Sequence, residues 1–231
     1  FYHAKRKGNL ISMKWKTIHQ TVWDNLAEEK RPIVLYGMGD GADKILQVFS
    51  ARQIQASGVF ASDEFVRGHS FAGFPVRTLA QTVEHFGKDI VIVLSFASQR
   101  PEVLEKMYTL DKQFDVVAPD VPVAGDGLFD LAFAQAHMAE FDAAAALLSD
   151  SFSQQVLDAM ICFKLTGKLS HLQMGESEKS EAFTHLLKPH SAEHFMDLGA
   201  YNGDTIRELL GYTHSAFASI TALEPDPRNF R

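Results

Sequence analysis

Two carboxylates and two glycines near the C-terminal end of the sequence stand at the turns of a strand–helix–strand pattern. They are Asp197, Gly199, Gly203 and Glu224. Asp197 lies in an apolar run that predicts a buried strand, and Glu224 ends a second such run. The glycines predict a tight turn before a helix that we expect Asp204 to cap. Strand, glycine turn, helix, strand and terminal acid are typical of a nucleotide-binding βαβ unit.

The residue between the two glycines indicates which nucleotide this unit favours. In a dinucleotide fingerprint the middle glycine lets the backbone approach a pyrophosphate, but here that position carries Tyr201. S-adenosylmethionine has no pyrophosphate, so its loop needs only to curve around the methionine part and the ribose. Glu224 follows Gly203 by 21 positions (224 − 203), which suits an acid that accepts hydrogen bonds from ribose hydroxyls. The residues therefore favour S-adenosylmethionine.

Two segments of the sequence carry a resemblance to a known family. MDLGAYNGDT followed by ITALEPDPRNF resembles the start of an FkbM-family methyltransferase domain, whose members have a DxGAxxGDT turn and an EPxPxNF strand end. Upstream, YGMGDGADKIL and LLSDSFSQQVLDAMICFKLTG are more loosely similar to the N-terminal half of the longer members. The resemblance implies a class I methyltransferase fold and transfer of a methyl group from S-adenosylmethionine, usually to a hydroxyl.

The resemblance also implies which residues bind the cofactor. These residues are Asp197, Gly199, Ala200, Tyr201, Asn202, Gly203, Asp204 and Glu224. Asp197 would fix the loop or meet the methionine amino group, Gly199 would bring a carbonyl near that group, and Glu224 would hold the ribose hydroxyls. The later family motifs, with the catalytic and acceptor residues, have no counterpart. We therefore expect residues 191–231 to form an incomplete methyltransferase domain that binds the cofactor poorly by itself.

A second glycine turn, earlier in the chain, allows a different interpretation. Gly37 and Gly39 follow an apolar strand, and Asp63 ends the next strand in the position of a ribose-binding acid. These three residues could form a second nucleotide site, or the glycines could only make a tight strand-to-helix turn. The alternative functions are an NAD-dependent oxidoreductase, or a non-catalytic nucleotide or nucleotide-sugar binding module that uses the Gly37 turn.

The order of predicted elements defines an α/β protein with several parts. Alternating strands and helices with continuously apolar strands predict a parallel sheet covered on both sides. We expect an N-terminal tail and helix over residues 1–30, a Rossmann-like domain over 31–124, a helical connector over 125–190, and the first βαβ unit of a methyltransferase domain over 191–231.

Composition excludes several classes of protein. The 231 residues are 46% hydrophobic and 22% charged with a net charge of −7, which is typical of a globular protein. The basic cluster 5–7 is not sustained, and no apolar run has the length of a membrane span, so we expect neither nucleic acid nor membrane as a partner.

Cys162 is the single cysteine, which fits a reducing cytoplasm. Pro189 separates His190 and His194 from any preceding helix, so we expect no metal site. The expected partner is a small-molecule or saccharide acceptor.

Overall fold

A computed structural model describes residues 11–98, 100–123, 125, 127–227 and 229. It divides into two compact units, the first ending at Gly175 and the second beginning at Glu176. The basic cluster 5–7 lies outside the described residues. No helix in the described part of the chain is long and apolar enough to cross a bilayer.

The first unit begins with alternating helices and strands. They are α1 (Val22–Glu28), β1 (Ile33–Tyr36), α2 (Asp40–Ala51), β2 (Gly58–Phe60), β3 (Ser70–Phe71), β4 (Phe74–Arg77), α3 (Leu79–Phe86), β5 (Val91–Leu94), α4 (Pro101–Asp111) and β6 (Asp115–Val117). The strands form one sheet in the order β3-β4-β2-β1-β5-β6. All neighbouring pairs are parallel except β3 and β4. Since β1 and β5 are buried along their whole length, the predicted parallel sheet with two covered faces is confirmed.

The segment around Gly68 and Gly73 forms the β3–β4 hairpin, in which Ser70 pairs with Pro75 and Phe71 with Phe74. The hairpin extends the sheet because Val76 of β4 pairs in parallel with β2. Both strands are short and β4 contains a proline, so neither shows the apolar run that identified the central strands.

Helices complete the first unit. They are α5 (Leu131–Ala136), α6 (Met138–Leu147), α7 (Ser151–Thr166) and α8 (Leu169–Gln173). The predicted end of α7 at Gly167 is confirmed, since Gly167 has φ +66° and its N–H bonds the Phe163 carbonyl at 2.7 Å.

Polar residues of α7 bind the N-terminal segment of the described chain. Asp158 is 5% exposed, and its two oxygens accept the N–H groups of Lys14 at 3.0 Å and Trp15 at 3.1 Å. The apolar residues from Trp15 to Leu26 do not lie on one continuous helix. A 3₁₀ turn covers Lys14–Thr17, and α1 begins only after the Thr21 capping box. The buried carboxylate thus satisfies backbone donors that the short turn leaves unpaired.

The second unit contains one pair of parallel strands. Its elements are α9 (Lys179–Glu181), a π-helical turn (Ala182–Leu187), β7 (His194–Leu198), α10 (Asp204–Tyr212) and β8 (Ser219–Leu223). Phe183 stacks on Tyr212 of α10 with ring centroids 4.4 Å apart, and Lys179 forms an ion pair with Glu208. These contacts hold the segment before β7 against α10.

We expect Asp158→Ala to destabilise the protein. The substitution leaves two backbone N–H groups without their charged acceptor, which should lower the free energy of unfolding by about 2–4 kcal/mol. Asp142→Ala is the matched control, because it removes only the exposed ion pair to Lys16 and should cost at most about 1 kcal/mol. Urea denaturation measures both values, and equal losses would contradict the role assigned to Asp158.

We also expect the Cys162 thiol to be unreactive in the folded protein. Cys162 is 3% exposed, and burial, with the charge of Asp158 as a smaller cause, raises the pKa of its thiol to about 11. A raised thiol pKa reduces the reactive thiolate fraction below pH 11, by about a hundredfold at pH 8 relative to an ordinary cysteine. A disulfide-exchange reagent at pH 8 should therefore modify Cys162 only after urea is added. Rapid modification without urea would show that the thiol is accessible.

Candidate functional site

The turn after β7 is bonded to the end of β8. The strands pair in the register Leu198 to Leu223, which places the next residues of both strands side by side. The N–H groups of Gly199 and Ala200 both donate to the Leu223 carbonyl, at 2.7 and 3.0 Å. The Tyr201 N–H donates to Glu224 Oε2 at 2.7 Å. The structure therefore brings the predicted glycine turn and the predicted terminal acid together.

The Glu224 carboxylate is held by two backbone donors. Its second oxygen, Oε1, accepts the Asp226 N–H at 2.8 Å, and the residue is only half-buried. A carboxylate oxygen can accept more than one hydrogen bond, so both oxygens keep acceptor capacity on the side that faces solvent. Glu224 can thus anchor the loop and still accept hydrogen bonds from hydroxyl groups of a ligand.

Asp197 is the buried residue of β7. It is 8% exposed, and its Oδ2 has no hydrogen-bond partner among the described residues. The apolar neighbours Met196 and Leu198 are 61% and 71% exposed. The expectation of a buried apolar strand is therefore wrong, because alternate residues face opposite sides and only the face bearing Asp197 is covered. A buried carboxylate oxygen without a partner is costly unless a donor meets it.

The backbone of the turn is constrained at three positions. Gly199, Tyr201 and Gly203 have φ values of +93°, +44° and +79°. For the tyrosine this conformation is strained, and it persists because the Tyr201 N–H is bonded to Glu224. The space where a Cβ of Gly199 would lie is open to 4 Å. A ligand could therefore approach the backbone closely at Gly199.

The prediction that Asp204 caps α10 is wrong. Gly203 is the N-cap, in the left-handed conformation and without a side-chain cap, and Asp204 is the first helical residue. There its charge lies in the first turn, where it interacts favourably with the helix dipole. The Arg207 guanidinium reaches back and donates to the Asn202 carbonyl at 2.7 Å and to its side-chain oxygen at 2.9 Å. Asn202 is thus held by α10 through Arg207.

In the first unit, the structure separates the three residues of the second predicted site. Gly37 and Gly39 line a cavity of about 410 Å³. Asp63 begins a 3₁₀ turn, Asp63–Phe65, and lines a neighbouring cavity of about 540 Å³. Two acids share the smaller cavity with the glycines, Glu64 and Glu102. Asp63 lies beyond β2 rather than at its end, because β2 ends at Phe60, earlier than its apolar run suggested.

The first glycine turn packs closely against the residue that follows β5. A Cβ on Gly37 would lie 2.6 Å from Ser95 Oγ, and one on Gly41 would lie 2.2 Å from the Ser95 carbonyl oxygen. Gly37 and Gly41 are therefore explained by packing against Ser95, without a ligand.

No group of three histidine, cysteine, aspartate or glutamate residues in the described ranges could hold a metal ion.

Comparison with solved structures shows a similar fold. The chain is similar to a crystal structure described as methyltransferase FkbM from Methylobacillus flagellatus KT, with a TM-score of 0.59 and 19% sequence identity. The match covers 90% of this chain and 60% of the solved one, so the chain spans less than two thirds of that protein. Comparisons with protein-family models and with curated proteins give no match. The fold predicted from the sequence motifs, that of an FkbM-type methyltransferase, is confirmed.

Proposed function

We propose that the protein is an S-adenosylmethionine-dependent methyltransferase of the cytoplasm, which transfers the methyl group to a hydroxyl of a small molecule or saccharide. The observation that carries this proposal is the turn from Gly199 to Gly203, which is bonded to Glu224 beside the buried carboxylate of Asp197. The similarity to a solved methyltransferase supports the fold on which the proposal rests.

The residues of the turn fit the chemistry of this cofactor. The unpartnered Oδ2 of Asp197 is an acceptor for an ammonium group or an intervening water. The open space at Gly199 admits a ligand against the backbone. The remaining acceptor capacity of Glu224 suits two neighbouring ribose hydroxyls. Tyr201, where a dinucleotide fingerprint has glycine, is compatible with a ligand that has no pyrophosphate.

The contribution of these residues to catalysis is to bind and orient. When bound, S-adenosylmethionine supplies a methyl group on a sulfonium centre that an acceptor oxygen can attack in line. Asp197, Gly199 and Glu224 would fix the position of that methyl group, and such alignment supplies a large part of the rate of a two-reactant step. We assign the general base to none of the described residues.

The alternative functions have less support from the geometry. An NAD-dependent oxidoreductase would use the Gly37 turn, but Gly37 and Gly41 are already explained by their packing on Ser95. The cavity beside Gly39 is formed by residues of the first unit, whereas the residues of the proposed methyl-donor site belong to the second.

We expect Glu224→Ala to weaken binding of S-adenosylhomocysteine. Charge-assisted hydrogen bonds contribute about 1.5–3 kcal/mol, so the dissociation constant should rise on the order of ten- to a hundredfold. Glu224→Gln should cost less, because its amide oxygen still accepts one hydroxyl hydrogen bond. Calorimetry on the full-length protein gives both values.

Gly39→Ala is the matched control in the first unit, and it should leave the affinity for S-adenosylhomocysteine unchanged. Thermal unfolding of each variant would separate a binding defect from a folding defect. Equal affinity for the wild-type protein and Glu224→Ala would remove Glu224 from the site. A large loss of affinity in Gly39→Ala, with the fold intact, would move the donor site to the first unit.

A further inference from the structure

Neither backbone strain nor packing requires glycine at position 39, although glycine is among the residues favoured at the N-cap of a helix such as α2. Gly37 has φ +115°, and both Gly37 and Gly41 press on Ser95 so closely that neither could carry a Cβ without a shift. Gly39 has φ −112°, which any residue adopts, and no atom lies within 4 Å of its Cβ position. A glycine in open space at a strand-to-helix turn is explained when a ligand must approach the backbone.

The space beside Gly39 is a cavity with aromatic walls. It has a volume of about 410 Å³, within the usual range for small-molecule sites, and Tyr36, Phe65 and Phe96 line it. The Tyr36 ring is fixed by stacking on Phe60 at 4.6 Å and by a hydrogen bond from or to Ser62 Oγ at 2.7 Å. Phe96 meets this ring edge to face at 4.9 Å. Phe96 is 37% exposed, and because its ring is held in this way it offers a surface on which the planar base of a nucleotide can stack.

Charged groups at the same cavity suit the other parts of a nucleotide. Lys106 is exposed, and no salt bridge joins it to another residue in the described ranges. Glu102, a second carboxylate of this cavity, is paired with Arg100 and also feels the charge of Lys106. The Glu64 carboxylate can accept hydrogen bonds from sugar hydroxyls. Gly39 is also the N-cap of α2, a twelve-residue helix whose first N–H groups and dipole favour an anion.

An acid in the first turn of α2 does not occupy this cavity. Asp40 forms an ion pair with Lys44 at 3.0 Å and lines a different cavity, on the β5–β6 side of the turn. The cavity beside Gly39 is bounded by the ends of β1 and β2, by Phe96 after β5 and by the start of α4. Its volume of about 410 Å³ has room for one nucleotide, so the second half of a dinucleotide would lie outside it.

We propose that this cavity binds a nucleoside monophosphate. Its base would pack on Phe96 and Phe65, its sugar hydroxyls would meet Glu64, and its phosphate would lie at Gly39 and Lys106. The site is independent of the proposed methyl-donor site, because every residue that forms it belongs to the first unit.

The experiment is calorimetric titration of the full-length protein with AMP, adenosine, inorganic phosphate and NADH. AMP should bind, adenosine and phosphate should each bind at least about tenfold more weakly, and NADH should bind no more tightly than AMP. Gly39→Ala should lose AMP affinity with only a small loss of thermal stability, because alanine is a poorer N-cap residue than glycine but its methyl group meets no protein atom. Gly41→Ala should lose much more stability, because its methyl group would collide with the Ser95 carbonyl oxygen.

Charge variants test the assigned phosphate contact. Lys106→Gln should weaken AMP about tenfold or more and leave adenosine unchanged, since it removes one charge-assisted contact. Lys88→Gln is the control. Lys88 is an exposed lysine just before β5, at the amino ends of the strands, so this substitution should change neither the AMP affinity nor the adenosine affinity. The proposal would be overturned if AMP did not bind, or if Lys106→Gln bound AMP as tightly as the wild-type protein does. It would also be overturned if NADH bound more tightly than AMP, or if inorganic phosphate bound as tightly as AMP. Glu224→Ala should leave AMP affinity unchanged, so failure of the donor site would not affect this result.

Discussion

The candidate donor site depends on the register of two parallel strands. Because β7 and β8 pair with Leu198 opposite Leu223, the N–H groups that follow β7 meet the last carbonyl of β8, and the Tyr201 N–H meets the carboxylate that follows it. A slip of one residue would turn Asp197 to the exposed face. It would also separate Tyr201 from Glu224. One backbone register therefore fixes the position of both carboxylates relative to the glycine turn.

That register is maintained although it exposes apolar side chains. Met196, Leu198 and Leu223 are all more than half exposed, while Asp197 occupies the covered face. The loop bonds to the Leu223 carbonyl and to Glu224 favour this register, because a slip would break them. The unpartnered Oδ2 of Asp197 becomes a binding group when a ligand brings a donor to it.

How much the sequence predicts depends on the range of the interactions involved. The central parallel strands were predicted, because a continuous apolar run is a local signal. The buried Asp158 was missed, since its partners lie more than 140 positions away, as the spacing of 144 to Lys14 shows. The Asp204 cap was wrong because Gly203, with its left-handed backbone, ends the turn one residue earlier. Asp63 was expected at the end of β2, but the strand ends at Phe60, and tertiary packing decides where so short a strand ends.

The two glycine turns of this chain show why a fingerprint does not define a ligand. At the first turn, Gly37 and Gly41 are required by contact with Ser95, and only Gly39 faces open space. At the second, Gly199 and Gly203 are required by their left-handed backbone, and a tyrosine stands between them in the same conformation. The two turns have similar numbers of glycines, but the reason for glycine differs: contact with Ser95 at the first turn and backbone conformation at the second. In both of our proposals the ligand is decided by the space at one glycine and by the charged groups around it, which are Lys106 and Glu64 at the first turn and Asp197 and Glu224 at the second.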